Sequence, residues 1–227
     1  GKTALMCNMV ANMSQRGICC GVFSLEMDRG ELDDRWIAGD ARINSMRLYS
    51  EPGPDKEEWT RLLETANRQE KWPVLIDDTG GLRISELKRR ARQMKRAGAE
   101  IIFIDQLSKI GGKRHLSRLD RNSEHVEELA FLKKELRLPV VLLAQLNRNL
   151  ESRGDKKPTL SDLKNTGQLE EDADIVLLGF RPSLYFDDAP KSLAEWEIAK
   201  NRQGATYNIE MVWSEKFIRF DEAAKGR

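Results

Sequence analysis

The first three residues of the chain, Gly1-Lys2-Thr3, match the end of the pattern G-x-x-x-x-G-K-[ST], and a segment with helical periodicity follows them. At the start of a helix, backbone amides can hold phosphate, a lysine can neutralise its charge, and a threonine hydroxyl can ligate Mg²⁺. A tripeptide is a weak pattern by itself, because it also occurs by chance. It predicts a site for a nucleoside triphosphate only if other residues support it.

Polar residues also follow three apolar runs that are typical of buried strands: Glu26, Asp105 and Gln145. A carboxylate such as Asp105 can hold the water shell of Mg²⁺, and an acid such as Glu26 can polarise a water for attack on phosphate. The amide of Gln145 can bond to both the phosphate and the attacking water. Each also has a structural alternative, as an acid that ends a strand or caps a helix. Their agreement carries more weight than any one of them.

Two other charged segments have simpler explanations. Asp77 and Asp78 also end an apolar run, but adjacent residues on a strand point to opposite faces and cannot both serve one metal, which favours a structural turn. The basic segment 83–96 carries its charges between the members of an apolar stripe. It is therefore predicted to be a helix with a solvated outer face, although a DNA-binding face is the alternative.

The elements that would position these residues alternate between strands and helices. Buried strands are predicted at 18–27, 73–78, 100–105 and 140–145, and helices at 3–16, 29–41, 55–71 (with Trp59, Leu62 and Leu63 on one side), 84–97 and around 126–136. Residues 111–122 are glycine-rich and basic and are predicted to be a mobile loop. A further strand at 173–180 precedes antiparallel strands within 195–213 and 216–221. The order predicts an α/β fold with a mainly parallel sheet and a terminal β-meander, and ligands bind at the carboxyl ends of such parallel strands.

Composition limits the remaining classes of function. The chain has 227 residues, enough for one domain with a full core, and its formal charge of +1 gives no overall basic field for nucleic acid. The odd set of cysteines at 7, 19 and 20 argues against a disulfide framework and for a reducing compartment such as the cytoplasm. No apolar run is long enough for a membrane span, so no membrane partner is expected.

Blocks along nearly the whole chain resemble one family. They are GKT at the start, FSLEM (23–27), IDDT (76–79), IDQLSKI (104–110), LAQLNR (143–148), LSDLKNTGQLEEDADIVLL (160–178) and AKNRQG (199–204). Their order and content are similar to those of the C-terminal ATPase domain of DnaB-type replicative helicases, which has a RecA-like P-loop NTPase fold. The last two blocks are far more specific than the phosphate-loop tripeptide.

The resemblance implies an ATP-dependent DNA helicase that works as a ring. Gly1, Lys2, Thr3 and Asp105 would bind ATP, with Mg²⁺ held by Thr3 and Asp105. Glu26 would position the hydrolytic water.

Three more catalytic roles are implied in the same way. Gln145 would sense the γ-phosphate and link it to the DNA loops. Lys200 and Arg202 would reach the nucleotide of the neighbouring subunit, Arg202 as an arginine finger. Such a guanidinium stabilises charge on the transferring phosphoryl group and makes hydrolysis depend on assembly.

The implied DNA contacts lie in two loops. Lys164, Asn165 and Gly167 match the positions that touch the phosphates of single-stranded DNA. Lys113 and Arg114 are weaker candidates in the other loop, where a solvated basic loop is the alternative. No aromatic stacking residues accompany them, which favours a grip on the backbone without base reading. The resemblance further implies a homo-hexamer, 5′-to-3′ travel, primase and a helicase loader as partners, and a cytoplasmic location.

Two departures from the family pattern remain. Gln106 and Ser108 replace Tyr and Gln of many relatives, which affects fine positioning near the metal. The chain, a single domain over 1–227 by this interpretation, also lacks the family's first strand, most of its phosphate loop and its N-terminal domain. The piece alone is therefore expected to hydrolyse ATP poorly and to aggregate through exposed strand edges. The alternatives are another RecA-like ATPase without unwinding, such as a recombinase or clock-type protein, and a non-catalytic assembly module.

Overall fold

The computed structural model describes residues 1–112, 117–147, 150 and 152–223, and of residues 118 and 164–167 only the backbone. The helices are α1 (Lys2–Ser14), α2 (Arg29–Ala41), α3 (Lys56–Gln69), α4 (Ile84–Arg96), α5 (Arg118–Leu136) and α6 (Gly167–Asp172). The strands are β1 (Cys20–Ser24), β2 (Val74–Asp77), β3 (Ile101–Asp105), β4 (Val140–Leu142), β5 (Ile175–Phe180), β6 (Leu193–Asn201), β7 (Asn208–Ser214) and β8 (Arg219–Glu222). Short 3-10 helices include Ser45–Leu48, Leu107–Lys109, Leu160–Thr166 and Pro182–Leu184.

The predicted parallel sheet is confirmed, with the strand order β2-β1-β3-β4. All residues of β1 and β3 are buried, as expected for central strands that are covered on both faces. One apolar cluster packs α4 and α5 against one face of the sheet, and a second packs α1 and α2 against the other. The carboxyl ends of the four strands therefore share one edge.

The C-terminal strands form a second sheet of antiparallel strands in the order β5-β6-β7-β8, which confirms the predicted meander. Its buried aromatic residues, with Ala4 of α1, form a separate apolar cluster. Within the described residues, β5 pairs only with β6 and β4 only with β3. The side chains of Ile175 and Leu177 lie on one face of β5, and both are exposed.

Two local predictions need correction. Residues 118–122 are helical rather than part of a loop, because the hydroxyl of Ser117 accepts the backbone N–H of Asp120 and caps α5 at its first turn. On α3, Leu62 is buried, but Trp59 and Leu63 are 50% and 61% exposed, so the three do not share the buried side. Leu62 packs beside Ile43, whereas the turn that carries Trp59 and Leu63 faces outward.

Gly179 of β5 lies opposite Trp196 of β6, and a Cβ at Gly179 would come within 2.5 Å of the indole ring. We expect Gly179→Ala to lower the free energy of unfolding by about 1–3 kcal/mol, because a rigid ring must move to make room. Chemical denaturation would measure the change. Ile175→Ala, at an exposed site of the same strand, is the control and should change stability by less than about 0.5 kcal/mol. Equal effects of the two substitutions would contradict the packing argument.

Among the described residues, none of the helices combines the length and the apolar composition that crossing a lipid bilayer requires.

Candidate active site

The register of the parallel sheet brings Asp105 and Glu26 together. Ser24, the last residue of β1, pairs with Asp105 at the end of β3, and Glu26 follows Ser24 by two residues. Asp105 is 1% exposed. Burial and the negative charge of Glu26 raise the pKa of Asp105, whereas the hydrogen bond from Thr3 and the charges of Lys2 and Arg35 act to lower it. These groups therefore lie within electrostatic range of one buried carboxyl.

The two oxygens of the Asp105 carboxyl differ in their hydrogen bonds. The hydroxyl of Thr3 donates to Oδ1 at 3.3 Å, while Oδ2 is buried without a hydrogen-bond partner among the described groups. A threonine hydroxyl beside a carboxylate with an unbonded oxygen is a suitable donor set for Mg²⁺, which prefers oxygen ligands and keeps several waters. The two residues thus fit the ion that the sequence predicts for them.

The start of α1 is electropositive. The charges of Lys2, Arg181 and Arg35 all lie within electrostatic range of Gly1. Gly1 also packs closely on Phe220 of β8, since a Cβ there would lie 2.9 Å from the ring. Cations gathered at the amino end of a helix of 13 residues favour a bound anion such as phosphate.

The side chain of Glu26 is accessible. It is 44% exposed, and its nearest ionic partner among the described residues is the ammonium of Lys109 at 3.9 Å. An acid that is neither buried nor held in a tight ion pair can bind a water molecule and accept its proton. Glu26 is therefore placed beside the Asp105 carboxyl with the freedom that a base requires.

Gln106 has a left-handed backbone, with φ at 89°, although it is not a glycine. This conformation costs about 1–3 kcal/mol and persists only where the surroundings enforce it. Here the backbone N–H of Gln106 donates to Ile104, and that of Leu107 donates to the Leu143 carbonyl of the β4 segment. The chain thus turns sharply directly after Asp105.

Gln145 lies three residues beyond the end of β4, which is shorter than the predicted strand over 140–145. The register pairs Leu142 with Ile104, and Leu143 continues with a hydrogen bond to Ile104. Gln145 is exposed at the same edge of the sheet as Asp105. This position is compatible with the sensor role, which stays a prediction.

The side chains of Lys200 and Arg202 form hydrogen bonds with residues 170–174 of the same chain. The Lys200 ammonium donates to the carbonyls of Glu170 and Glu171, and the Arg202 guanidinium donates to the Glu171 carbonyl and to Asp174. The Arg202 side chain is 50% exposed, so it remains accessible from outside. Its role as a finger stays a prediction.

The predicted DNA contacts are only partly described. Lys113 and Arg114 lie outside the described residues. Residues 164–166 end a 3-10 helix and Gly167 begins α6, but their side chains are also outside the description. The backbone of this segment is therefore helical rather than an open loop.

The charged segments that were given simpler explanations make structural contacts. Asp77 accepts two hydrogen bonds from Arg90, at 2.7 and 2.9 Å, and Asp78 accepts the backbone N–H of Arg29. On α4, Lys88 and Arg92 pair with Glu128 and Glu135 of α5. These contacts agree with a structural turn at the end of β2. They also show that charged side chains of α4 form ion pairs with α5.

Comparison with known proteins identifies the family. The family described as DnaB-like helicase C terminal domain matches residues 1–222. This chain belongs to that family.

Relatives and solved structures agree with this assignment of the DnaB-like domain. A protein named replicative DNA helicase DnaB from Leifsonia xyli subsp. xyli is 37% identical over 89% of this chain and 45% of its own length. Its namesake from Haemophilus influenzae is 34% identical over 100% of this chain and 50% of its own. The chain thus spans about half the length of these relatives.

Two solved structures have the same fold as this DnaB-like domain. One, described as a DnaB-like replicative helicase and its interactions with primase, superposes with a TM-score of 0.93 at 30% identity, over 98% of this chain and 54% of that one. The other is described as an ATPase domain and gives a TM-score of 0.92 at 30% identity, over 97% of this chain and 80% of that one. The RecA-like architecture predicted from the sequence is therefore confirmed.

Sequence reasoning missed two cations of this DnaB-like domain. Arg35 of α2 acts on the pKa of Asp105, and Arg181 lies over the ring of Trp213 at 4.4 Å and acts on Gly1. Arg181 directly follows β5, but β5 belongs to the antiparallel sheet, to which the rule on the carboxyl ends of parallel strands does not apply. Arg35 lies within a mostly acidic helix, and only the packing of α2 against α1 reveals its position.

Proposed function

We propose that this chain is the ATPase part of a replicative DNA helicase, which hydrolyses ATP at subunit interfaces of a homo-hexamer in the cytoplasm and moves 5′-to-3′ on single-stranded DNA. The observation that carries the proposal is the buried Asp105 carboxyl, which is bonded to Thr3 through one oxygen, has no hydrogen-bond partner at the other among the described residues, and lies within electrostatic range of Glu26. Primase and a helicase loader are the further partners that we propose.

The roles of the residues follow from their positions. The amides at the start of α1 and the Lys2 ammonium bind the phosphates of ATP. Thr3 and Asp105 hold Mg²⁺, which when bound neutralises charge on the β- and γ-phosphates. Glu26 orients a water toward the γ-phosphate and accepts its proton, and exposed Gln145 bonds to that phosphate at the same sheet edge. Lys200 and Arg202 of the adjacent subunit stabilise the charge of the transition state.

Asp105→Asn in the full-length protein tests the proposal through ATP- and Mg²⁺-dependent strand displacement on a forked DNA. We expect displacement and hydrolysis to fall by about 100-fold or more, because the ion loses a charged ligand. Thermal stability should rise at neutral pH. The folded-state pKa of Asp105 is raised, so the ionised carboxyl destabilises the fold above its unfolded pKa, and the neutral amide removes that cost.

Asp78→Asn is the matched control, since Asp78 is an exposed acid at a neighbouring strand end, and it should leave displacement intact. If the parent hydrolyses ATP with DNA but separates no strands, another RecA-like ATPase is the better assignment. Absence of hydrolysis by the parent would favour an assembly module.

A further inference from the structure

Asp174 contacts both the predicted arginine finger and helix α5. Its Oδ1 accepts the Arg202 guanidinium at 3.3 Å, and its Oδ2 accepts the Lys133 ammonium of α5 at 2.6 Å. Its backbone carbonyl also accepts the N–H of Arg202 at 2.9 Å. One residue therefore holds both the backbone and the side chain of the predicted arginine finger, and it ties them to α5.

The carboxyl end of α6 also binds Arg202, and together with Asp174 it forms what we call the cradle of Lys200 and Arg202. The last carbonyls of a helix have no partner within the helix. In α6 the carbonyls of Glu170 and Glu171 accept the Lys200 ammonium, and Glu171 also accepts the Arg202 guanidinium. Both cations that are expected to act on a neighbouring nucleotide are thus bound to the end of one short helix.

The other end of α6 is the segment predicted to bind DNA. α6 begins at Gly167, directly after the 3-10 helix that contains Lys164 and Asn165. Leu160 and Leu163 of that 3-10 helix pack in one apolar cluster with Val176 of β5 and Ala199 of β6. The same cluster includes Leu146, the neighbour of Gln145. A movement of the 3-10 helix Leu160–Thr166 is therefore transmitted to β6, the strand that carries Lys200 and precedes Arg202. It passes both through this direct packing and through α6.

We infer that Asp174 is a positioning residue, which sets the reach of Arg202 and Lys200 according to whether DNA occupies residues 164–167. The inference rests on the proposed function, since it takes the finger and the DNA segment from there. Allosteric coupling requires a structural link between two sites that each ligand can bias. Asp174 is part of such a link, because it follows the last residue of α6 by two positions and its partners among the described residues are Arg202 and Lys133.

A purely structural role for this ion pair predicts a small effect. The side chains of Arg202 and Asp174 are each 50% exposed, and pairs exposed to this degree add little to stability. Asp174→Asn should therefore fold as the parent does. It keeps an oxygen near Arg202 but loses the charge that orients the guanidinium.

The test measures ATP hydrolysis by the full-length protein with and without oligo(dT), an unstructured single strand. For Asp174→Asn we expect the ratio of DNA-stimulated to DNA-free kcat to fall by about fivefold or more, the lower end of typical allosteric coupling. The KM for ATP and the Kd for oligo(dT) should change by less than about twofold. Asp174→Glu keeps the carboxylate and should retain most of the stimulation.

Glu195→Gln is the matched control, because Glu195 is an acid of β6 in a comparable ion pair with Lys157 and lies outside the cradle. It should leave the ratio unchanged. An unchanged ratio in Asp174→Asn, or an equal loss with and without DNA, would overturn the inference while the helicase assignment stands. If the parent shows no stimulation by DNA, both the inference and the proposed function fail.

Discussion

Glu26→Gln in the full-length protein should reduce ATP hydrolysis by about 100-fold to 10,000-fold, the range that loss of a general base produces. The amide can still bond to water but cannot accept its proton. ATP binding should persist, because Glu26 is 44% exposed and the proposed ligands of the phosphates and of Mg²⁺, namely Lys2, Thr3 and Asp105, are unchanged. Single-turnover hydrolysis and equilibrium binding of a fluorescent ATP analogue would measure the two effects separately.

The control for this substitution is Glu64→Gln, which changes an exposed acid on α3. It should leave hydrolysis within about twofold of the parent. Hydrolysis at the parental rate in Glu26→Gln would remove the assignment of the base. Loss of binding together with hydrolysis would instead indicate a role in holding the nucleotide.

Arg202→Ala should have the other large effect, a loss of about 1,000-fold in kcat, because an arginine finger contributes this much or more to phosphoryl transfer. Arg202→Lys should recover only part of the rate, since an ammonium lacks the planar fork of donors. Steady-state hydrolysis over a range of ATP concentrations would separate kcat from KM. Arg96→Ala, an exposed cation on α4, is the control and should hydrolyse ATP normally.

Mixed assemblies decide whether Arg202 acts in its own subunit or in its neighbour. When Arg202→Ala and Glu26→Gln subunits are mixed in equal amounts, about a quarter of the head-to-tail interfaces combine an intact Glu26 with an intact Arg202. We therefore expect hydrolysis to reappear on mixing, although each variant alone is inactive. No recovery in mixed assemblies would place the finger in the same subunit as the base.

Lys200 and Arg202 are held in their cradle by contacts within the same chain. In the chain described here both cations are bound to the end of α6, and Arg202 is also bound to Asp174. To act on a neighbouring nucleotide they must exchange these partners for phosphate oxygens. The contacts of Arg202 are exposed and the bond from Lys200 to the Glu170 carbonyl is partly buried, so a movement of α6 can bias the exchange.

Helix ends illustrate what local sequence can and cannot predict. Two capping boxes, Asp28 with Glu31 and Asp55 with Glu58, mark where α2 and α3 begin. Each is a local pattern that spans only four residues. The glycine-rich, basic composition of residues 111–122 predicts a loop, and the single Ser117 cap that starts α5 at Arg118 is too weak a local signal to override it. The exposed side of α3 also depends on packing, since Trp59 and Leu63 have the same apolar character as buried Leu62.

The sequence by itself predicted the buried strands, their parallel direction and the polar residues that follow them. Short apolar runs predict buried strands, and parallel strands must present their carboxyl ends at one edge. Asp105, Glu26 and Thr3 could therefore be assigned to one site before any distance was known. Only the tertiary structure decided that Oδ2 of Asp105 has no hydrogen-bond partner in the described part of the chain, that the charges of Arg35 and Arg181 act on the start of α1, and that Asp174 links Arg202 to α5. Those contacts join residues far apart in the chain, and their geometry depends on how helices pack, which no local pattern encodes.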